Sequence, residues 1–339
     1  MLIEEQRTNL VTYSEDFGNA VWSKGGATVT ANTIVAPDGT LTSDKLVENT
    51  ANSVHYVLQP VNLLASTTYT VTVYVKAGER TFIALQPLGL SDVVYYNLTT
   101  GTIATVTGAP NSFSITPVGN GWYRCVVSST TSVAGLYSSY LYLASADSVP
   151  TYTGDGYSGI YIWGAQIEAG AFPTSYIPTV ASQVTRSADS ASMTGANFSE
   201  WYAGGKGTVY SESAVYASNI KTQFVWDLSG GATSTSLRSP QATTARLRAL
   251  VGGTFTGAGT GAVIANNTFI KATVAWDGLN GRLQSGSVGE NVTALANLDA
   301  NAFGIGTTVI PGNYLNGHIK RLSYYPARLT NTQLQALTS

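Results

Sequence analysis

The 339-residue sequence is poor in residue types that carry chemistry. It contains one cysteine, Cys125, and two histidines, His55 and His318. A single thiol excludes an internal disulfide and a cluster of thiolate metal ligands. Neither histidine lies near a nucleophile motif such as Gly-x-Ser-x-Gly, which a Ser-His-Asp site would need. We therefore expect Cys125 to lie in a core and both histidines to have no catalytic role.

Charge is also scarce. Only 11% of the residues are charged, and 17 basic and 19 acidic residues give a net charge of −2. There is no basic stripe for nucleic acid, so a nucleic-acid partner is not expected. No apolar run approaches the ~20 residues that span a bilayer, so membrane insertion is not expected either. The first residues lack the basic start and apolar core of a signal peptide, which predicts synthesis in a cytoplasm without Sec export.

The residues that are abundant favour β-structure. Thr and Tyr favour strands and Gly favours turns, and 44% of the chain is hydrophobic. Residues 69–76 alternate Tyr and Val with Thr, Tyr and Lys, the pattern of a half-solvated antiparallel strand. Short alternating segments with turn signals recur along both halves. The fold class predicted is all-β, with two antiparallel β-sandwich (jelly-roll) domains in tandem, residues 1–185 and 186–339.

Several local expectations follow from the same patterns. The joint is expected in the aperiodic residues 179–194. Residues 160–167 are predicted to form a strand covered on both faces, with Tyr161, Trp163 and Ile167 on one side and Ile160 and Ile162 on the other. Ser14 is predicted to cap a short helix through residue 22. At the other end, Thr330 and Gln333 form a capping box before a terminal helix.

Residues 1–180 resemble a module of bacteriophage structural proteins, especially tail-fibre, head-fibre and receptor-binding proteins. The matching pieces are Leu2-Ile3-Glu4-Glu5-Gln6-Arg7-Thr8-Asn9-Leu10, Tyr13-Ser14, Trp22, Ala36-Pro37-Asp38-Gly39, Asp44-Lys45-Leu46, Tyr74-Val75-Lys76-Ala77-Gly78, Gly121-Trp122-Tyr123-Arg124, Trp163-Gly164-Ala165-Gln166-Ile167-Glu168 and Pro173-Thr174-Ser175-Tyr176-Ile177-Pro178. The resemblance implies a carbohydrate-binding-module-like jelly roll in a virion protein.

The second half resembles concanavalin A-like or laminin-G-like sandwiches. Its matching pieces are Ala272-Thr273-Val274-Ala275-Trp276-Asp277-Gly278, Gly317-His318-Ile319-Lys320-Arg321-Leu322, Arg328-Leu329-Thr330 and Leu334. The concanavalin A-like fold also hosts glucanases, whose catalytic strand carries carboxylates on alternate positions, with acid and nucleophile ~5 Å apart in retaining enzymes. No Glu-x-Asp-x-Glu pattern occurs here. Asp227 and Glu212 stand alone, and we interpret Glu168 as a structural hydrogen-bond acceptor.

Tyrosines on polar strand faces or in loops are candidates for sugar binding, because an aromatic ring buries the apolar face of a sugar while polar neighbours bind its hydroxyls. The candidates are Tyr74, Tyr95, Tyr96, Tyr137, Tyr140 and Tyr142. The alternative for each is packing across strands. Asp38 and Asp44, near Asn32, are candidate calcium ligands; the alternative is that Asp38 only forms the Pro-Asp-Gly turn.

The function expected is that of a non-enzymatic bacteriophage virion protein, a head or tail fibre or adhesin, that binds host-surface glycans. Its expected partners are other virion proteins and host polysaccharide, as a homo-oligomer in the virion, with no cofactor except the candidate calcium ion. Two alternatives stay open. One is a polysaccharide-degrading enzyme with an N-terminal carbohydrate-binding module, and the other is a structural decoration protein without a ligand.

Overall fold

The fold is described from a computed structural model. It describes residues 1–202, 204–215, 223–230, 233–239, 248–251, 268–277, 280–293, 300–306 and 315–339. The described elements, in chain order, are β1 (Leu2–Ile3), β2 (Arg7–Asn9), β3 (Ser23–Gly25), β4 (Ala27–Ile34), β5 (Ser43–Glu48), β6 (Asn52–Leu63), β7 (Thr68–Ala77), β8 (Phe82–Gln86), a 3₁₀ turn (Pro87–Gly89), β9 (Val93–Asn97), β10 (Thr102–Thr107), β11 (Ser112–Gly119), β12 (Trp122–Thr130), β13 (Gly135–Ala144), β14 (Thr151–Thr153), β15 (Gly159–Ala169), β16 (Val184–Arg186), β17 (Ala191–Thr194), α1 (Ala196–Ser199), β18 (Lys206–Val215), β19 (Gln223–Gly230), β20 (Thr233–Ser239), β21 (Arg248–Val251), β22 (Ile270–Asp277), β23 (Asn280–Ser285), β24 (Val288–Thr293), β25 (Ala302–Ile305), β26 (Gly317–Tyr325) and α2 (Asn331–Thr338).

The chain forms two compact units, Arg7–Arg186 and Met1–Gln6 together with Ser187–Ser339. We call the first the insert unit and the second the split unit. Each is built on antiparallel sheets, so the all-β fold of two β-sandwiches predicted from the sequence is confirmed. The sequence placed residues 1–6 with the first domain, and the structure differs on this point.

The insert unit is a sandwich of two sheets. Sheet 1 has the strand order β10-β9-β8-β13-β6-β14, with β3 also paired to β6, and sheet 2 has the order β11-β12-β7-β15-β5-β4. Alternate residues of both sheets meet in one core, for example Val57 and Leu141 from sheet 1 and Val73 and Ile160 from sheet 2. Cys125 lies in this core, as predicted, and burial raises the pKa of its thiol well above the usual value.

Strand β15 is the central strand that the sequence predicts, but a bulge changes its faces. Its pairing with β7 shifts between Trp163 and Gln166, and Gly164 at the shift has a φ of 63°. The extra residue returns Ile167 to the core side with Ile160 and Ile162. The prediction that Ile167 shares a face with Trp163 is therefore wrong, because a bulge interrupts strict alternation.

The short helix predicted from Ser14 does not form; residues 11–22 make turns and bends. The Ser14 hydroxyl accepts a hydrogen bond from the Thr179 amide at 2.8 Å instead of capping a helix. The Phe17 amide donates to Asp44 Oδ2 at 2.9 Å, and the Trp22 indole donates to the Tyr13 carbonyl at 2.9 Å. The Ser14 hydroxyl and the Phe17 amide thus bind residues remote in sequence and not each other's helical turn. Tertiary contacts therefore override the capping preference of Ser14.

A buried ion pair links β5 of sheet 2 to β14 of sheet 1 and to nearby loops. Arg80 donates from Nε to Glu48 Oε2 at 2.7 Å and from Nη2 to Glu48 Oε1 at 2.5 Å. The Glu48 carboxylate is fully buried and also accepts from the Tyr152 hydroxyl at 2.7 Å and from the Asp155 amide at 3.0 Å. The Arg80 guanidinium lies 5.0 Å from the Tyr152 ring centroid. Although burial opposes ionisation, the hydrogen bonds from Arg80 and Tyr152 leave the pKa of Glu48 below its ordinary value.

The split unit also contains two sheets. One has the order β1-β26-β18-β22-β23-β24 and the other the order β17-β25-β19-β20-β21. Their core includes Trp226, Val274, Trp276 and Phe303. The capping box before α2 is present as predicted: Thr330 Oγ1 accepts from the Gln333 amide, and Gln333 Oε1 accepts from the Thr330 amide. Among the described residues, no helix is long and apolar enough to cross a bilayer.

The N-terminal hexapeptide is a structural part of the split unit. Leu2 and Ile3 pair with His318 and Gly317 of β26, and Ile3 is buried in the core of this unit. Two hydrogen bonds of 2.9 Å join Glu4 to Asp189, one from each backbone amide. Strand β1 is therefore the edge strand of a sheet whose other strands come from residues 206–325.

Candidate functional site

Three tyrosines form an aromatic surface on the outer face of sheet 1. Tyr140 and Tyr142 alternate along β13 with Leu141 and Leu143, which lie in the core. Tyr56 of β6 is paired directly with Tyr142. We call Tyr56, Tyr140 and Tyr142 the tyrosine platform, and each of its side chains is partly exposed.

The platform rings are held close together. The Tyr140 and Tyr142 rings are parallel, with centroids 5.3 Å apart and an interplanar angle of 3°. Tyr56 contacts both edge-on, at 5.2 Å from Tyr140 and 5.7 Å from Tyr142. On the other side of Tyr56, a Cβ added to Gly25 would lie 2.3 Å from its ring, so only glycine leaves room for the ring there. Rings locked by their neighbours lose little side-chain entropy when a ligand stacks on them.

Hydrogen-bonding groups border the rings. The Tyr142 hydroxyl donates to Gln86 Oε1 at 2.9 Å, and Gln86 Nε2 donates to the Leu90 carbonyl at 2.7 Å. Burial raises the pKa of Tyr142 to about 12, so its hydroxyl remains a donor at neutral pH. Within the described part of the chain, the Tyr56 and Tyr140 hydroxyls have no hydrogen-bond partner. They are available to bind the hydroxyls of a ligand.

The other tyrosines proposed from the sequence do not join the platform. Tyr95 lies on the same face but is only 8% exposed, and burial, with the Asp147 charge, raises its pKa. Tyr96 was placed wrongly among the ligands: it is fully buried, and its hydroxyl donates to the Val126 carbonyl at 2.6 Å. Tyr137 packs against the core on the opposite face of β13, and its hydroxyl donates to the Val133 carbonyl.

Tyr74 belongs to a second aromatic cluster, on the outer face of sheet 2. Its ring centroid lies 5.2 Å from that of Trp163 and 6.1 Å from that of Tyr176, and the Arg124 guanidinium lies 5.6 Å from it. The Tyr176 hydroxyl donates to Glu15 Oε1 at 3.1 Å, and burial raises the pKa of Glu15. Since neighbouring side chains surround the Tyr74 ring, it contributes to packing. Trp163 is buried as predicted, but in this cluster and not in the main core.

The candidate calcium ligands are used as hydrogen-bond acceptors. Asp38 Oδ1 accepts from the amide and hydroxyl of Thr40, at 2.9 and 2.7 Å, which holds the Pro-Asp-Gly turn. Asp44 is buried, and its two oxygens accept from the amides of Phe17 and Asn32. Burial raises the pKa of Asp44. In the described ranges, no group of three or more His, Cys, Asp and Glu side chains is arranged to hold a metal ion.

The carboxylates and the histidine considered as catalytic candidates have structural partners. Glu168 is fully buried and accepts from Gln166 Nε2 at 2.8 Å and from the Thr174 amide and hydroxyl at 2.8 and 2.7 Å, which confirms its role as an acceptor. Glu212 pairs with Lys320 at 2.7 Å. His55 is buried, with Nδ1 2.6 Å from the Gly26 carbonyl oxygen.

The split unit has a separate groove of about 460 Å³. Its lining residues are Met193, Trp201, Phe303, Ile305, Leu322, Ser323 and Tyr324. The Trp201 indole already donates to the Asn197 carbonyl at 2.7 Å, and Ser323 accepts from Arg321. An apolar lining with so few free polar groups does not suit a sugar, so the tyrosine platform is the candidate site.

Sequence reasoning missed Tyr56, Gly25 and Gln86. Alternation along β6 does place Tyr56 opposite to the core residue Val57, which is a usable signal for an outward side chain. The pairing of β6 with β13, which brings Tyr56 to Tyr142, joins residues far apart in sequence. Residue patterns within one strand do not contain that information.

Comparison with known proteins gives only a weak likeness. No family model matches the chain, and no curated protein matches it. Among solved structures, domains LG4-5 of the mouse laminin alpha1 chain are similar, with 10% identity, a TM-score of 0.30, and coverage of 87% of this chain and 91% of that one. The LG1-3 region of the laminin alpha2 chain is similar with 10% identity and a TM-score of 0.29, covering 83% of this chain and 66% of that one. These neighbours are laminin-G-like, concanavalin A-like β-sandwiches.

Proposed function

We propose that this protein is a non-enzymatic glycan-binding protein of a bacteriophage virion, a head or tail fibre or adhesin, that attaches to host-surface polysaccharide. The observation that carries the proposal is the tyrosine platform. Three ordered, partly exposed rings lie within 6 Å of one another, and two of their hydroxyls have no protein partner in the described residues. Stacking on rings and bonding to hydroxyls is how proteins hold sugars.

The virion assignment rests on the sequence resemblance. Apart from residues 2–6, which belong to the split unit, the segments of residues 1–180 that resemble phage fibre modules occur in order along the insert unit, and the platform lies in that unit. A fibre or adhesin is an expected setting for a sugar-binding sandwich, and such proteins are usually symmetric homo-oligomers. The partners proposed are therefore other virion proteins and host polysaccharide.

Binding without cleavage is proposed because the platform supplies no acid and nucleophile pair. Glycoside hydrolysis uses two carboxylates on opposite sides of the scissile bond. The strands that carry the platform, β6 and β13, contain no Asp or Glu. The buried Glu168 is used by Gln166 and Thr174, in sheet 2.

A binding site of this kind is weak by itself. A Kd near ~1 mM corresponds to only about 4 kcal/mol. Several copies on one virion raise the apparent affinity by ~10²–10⁴ where the geometry allows simultaneous contact. We therefore expect clustered protein to bind host cells much better than the isolated chain does.

The test is a glycan array probed with the purified protein displayed on beads, run beside a reducing-sugar release assay. The test variant is Tyr140→Ala/Tyr142→Ala, and Tyr157→Ala is the matched control because its side chain is 64% exposed in a loop away from the platform. We expect glycan binding by the wild type and by the control, loss of binding in the double variant, and no released sugar.

Other results have definite meanings. Reproducible release of sugar that disappears in Glu168→Gln or Asp227→Asn would favour the enzyme. Absence of binding by the bead-displayed wild type to arrayed glycans and to host cells would favour a structural protein without a ligand. Equal binding by the wild type and the platform variant, when both have the same melting temperature, would place the site elsewhere.

A further inference from the structure

The strands that carry and surround the tyrosine platform have no charged side chains, with one exception in β3. The strands β6, β8, β9, β10, β13 and β14 contain no Asp, Glu, Lys or Arg. The one charged residue on a strand of sheet 1 is Lys24 of β3, and all of the insert unit is described. Its ammonium group donates to the Gly18 and Asn19 carbonyls, at 3.0 and 2.9 Å, away from the platform rings.

This absence is specific to one sheet and is not only a result of the low overall charge. The strands of sheet 2 carry Asp44, Lys45, Glu48, Lys76, Arg124 and Glu168. The two sheets have similar numbers of strands and share one core. Charge is therefore segregated between the two sheets of the same sandwich.

A negative charge lies near Tyr95, on the same face of the sheet. That charge is Asp147, in the loop after β13, which adds to burial in raising the pKa of Tyr95. Its two oxygens accept from the amide and the hydroxyl of Thr105 at 3.2 and 2.8 Å. A carboxylated sugar that stacks on the platform would lose water around its charge without gaining a cation, which is unfavourable. Asp147 would add repulsion between like charges.

We infer that the ligand of the platform is a neutral polysaccharide, and that polymers of uronic or sialic acid are excluded. This inference rests on the proposed function and specifies the ligand class of the same site. A neutral sugar places its apolar face on the rings of Tyr140 and Tyr142 and bonds to the free hydroxyls of Tyr56 and Tyr140. Because no ion pair forms, binding changes little with salt.

The experiment compares neutral polymers with carboxylated counterparts. Affinity electrophoresis of the full chain is run in gels containing hydroxyethyl cellulose or carboxymethyl cellulose, dextran or carboxymethyl dextran, and mannan or alginate as a further pair. We expect retardation by at least one neutral polymer, unchanged by added sodium chloride, and no retardation by its carboxylated counterpart. Tyr140→Ala/Tyr142→Ala should weaken retardation by about tenfold or more. Tyr56→Phe/Tyr140→Phe, which keeps the rings, serves as a second variant if the first does not fold.

A variant with an added cation tests the role of charge directly. Ser138 is partly exposed and lies two residues before Tyr140 on the same face of β13. Ser138→Lys should create salt-sensitive binding to the carboxylated polymer, whereas Ser138→Gln, the uncharged control, should not. Failure of Ser138→Lys to gain this binding, with neutral binding retained, would show that charge does not select the ligand.

The two proposals fail in different ways. Retardation only by carboxylated polymers, lost in the platform variants, would overturn the neutral ligand class and leave glycan binding intact. Retardation by neither class here, together with no binding on the glycan array, would overturn glycan binding itself. Retardation by a neutral polymer that the platform variants leave unchanged would also overturn the inference, because the binding would lie elsewhere.

Discussion

The buried pair of Glu48 and Arg80 offers a quantitative test of what stabilises the insert unit. In Arg80→Met the carboxylate keeps its burial but loses the two charge-assisted hydrogen bonds of 2.7 and 2.5 Å. Removing one partner of a buried pair costs about 3–5 kcal/mol, because an uncompensated charge remains. For a unit of this size that corresponds to a fall in melting temperature of roughly 6–20 °C.

The pH dependence of the loss identifies its cause. In the wild type the pKa of Glu48 is lowered, so ionised Glu48 stabilises the folded state. This stabilisation is complete above the unfolded pKa of about 4.3 and is lost as the pH falls through the pKa of the folded state. Without Arg80, burial is the largest remaining influence and raises the pKa of Glu48. The penalty is then largest at neutral pH and is relieved as the pH falls toward about 4.3. The stability difference between wild type and variant should therefore narrow on acidification.

A double-mutant cycle completes the test. Glu48→Gln keeps an acceptor for Tyr152 and Asp155 but removes the charge. Urea denaturation should show that Glu48→Gln/Arg80→Met is more stable at pH 7 than Arg80→Met alone, with a coupling energy of about 1–3 kcal/mol. If the second substitution instead destabilises the protein further, or if Arg80→Met unfolds at the wild-type midpoint, an unpaired buried carboxylate is not the cause.

Three further predictions concern other parts of the chain. Trp163→Ala removes an indole whose ring centroid lies 4.7 Å from that of Tyr176, and in urea denaturation it should lower the free energy of unfolding by about 3–5 kcal/mol. Trp163→Phe should lower it less, and an unchanged midpoint for Trp163→Ala would contradict the packing described. Thr330→Ala removes the capping box of α2 and should lower the stability of the split unit by about 1 kcal/mol, whereas Thr332→Ala within the helix should cost less. Cleavage after Arg186 with trypsin should leave two fragments that elute together in gel filtration, because β1 stays paired with β26; separation without denaturant would show that this pairing is weak.

The sequence predicts best what alternation within one strand determines. The outward direction of Tyr140 and Tyr142 follows from Leu141 and Leu143, and the strand character of β7 follows from its valines. The bulge at Gly164 was not predicted, because a glycine in a strand marks either a bulge or a close contact and the pattern alone does not distinguish them. The capping signal at Ser14 was misread because its hydroxyl binds Thr179, a partner remote in sequence.

The site itself depends on pairing that composition does not encode. Tyr56 becomes part of the platform only because β6 lies beside β13 in a specific register. Conversely, Tyr95 and Tyr96 are adjacent in sequence, yet Tyr95 lies on the same face of sheet 1 as the platform and Tyr96 lies in the core. The near absence of charged residues from the strands of sheet 1 is visible in the sequence only after the strands have been assigned to sheets.

The position of β1 in the split unit also has a consequence for folding during synthesis. Ile3 is synthesised before the rest of its sheet, and its partners in β26 are made roughly 300 residues later. At 5–20 residues per second this delay is about 15–60 s. The insert unit is complete at Arg186 and can fold within that interval, while the apolar side chains of Leu2 and Ile3 remain without their sheet. Synthesis thus orders the two units in time, and β1 joins its sheet only when β26 has emerged.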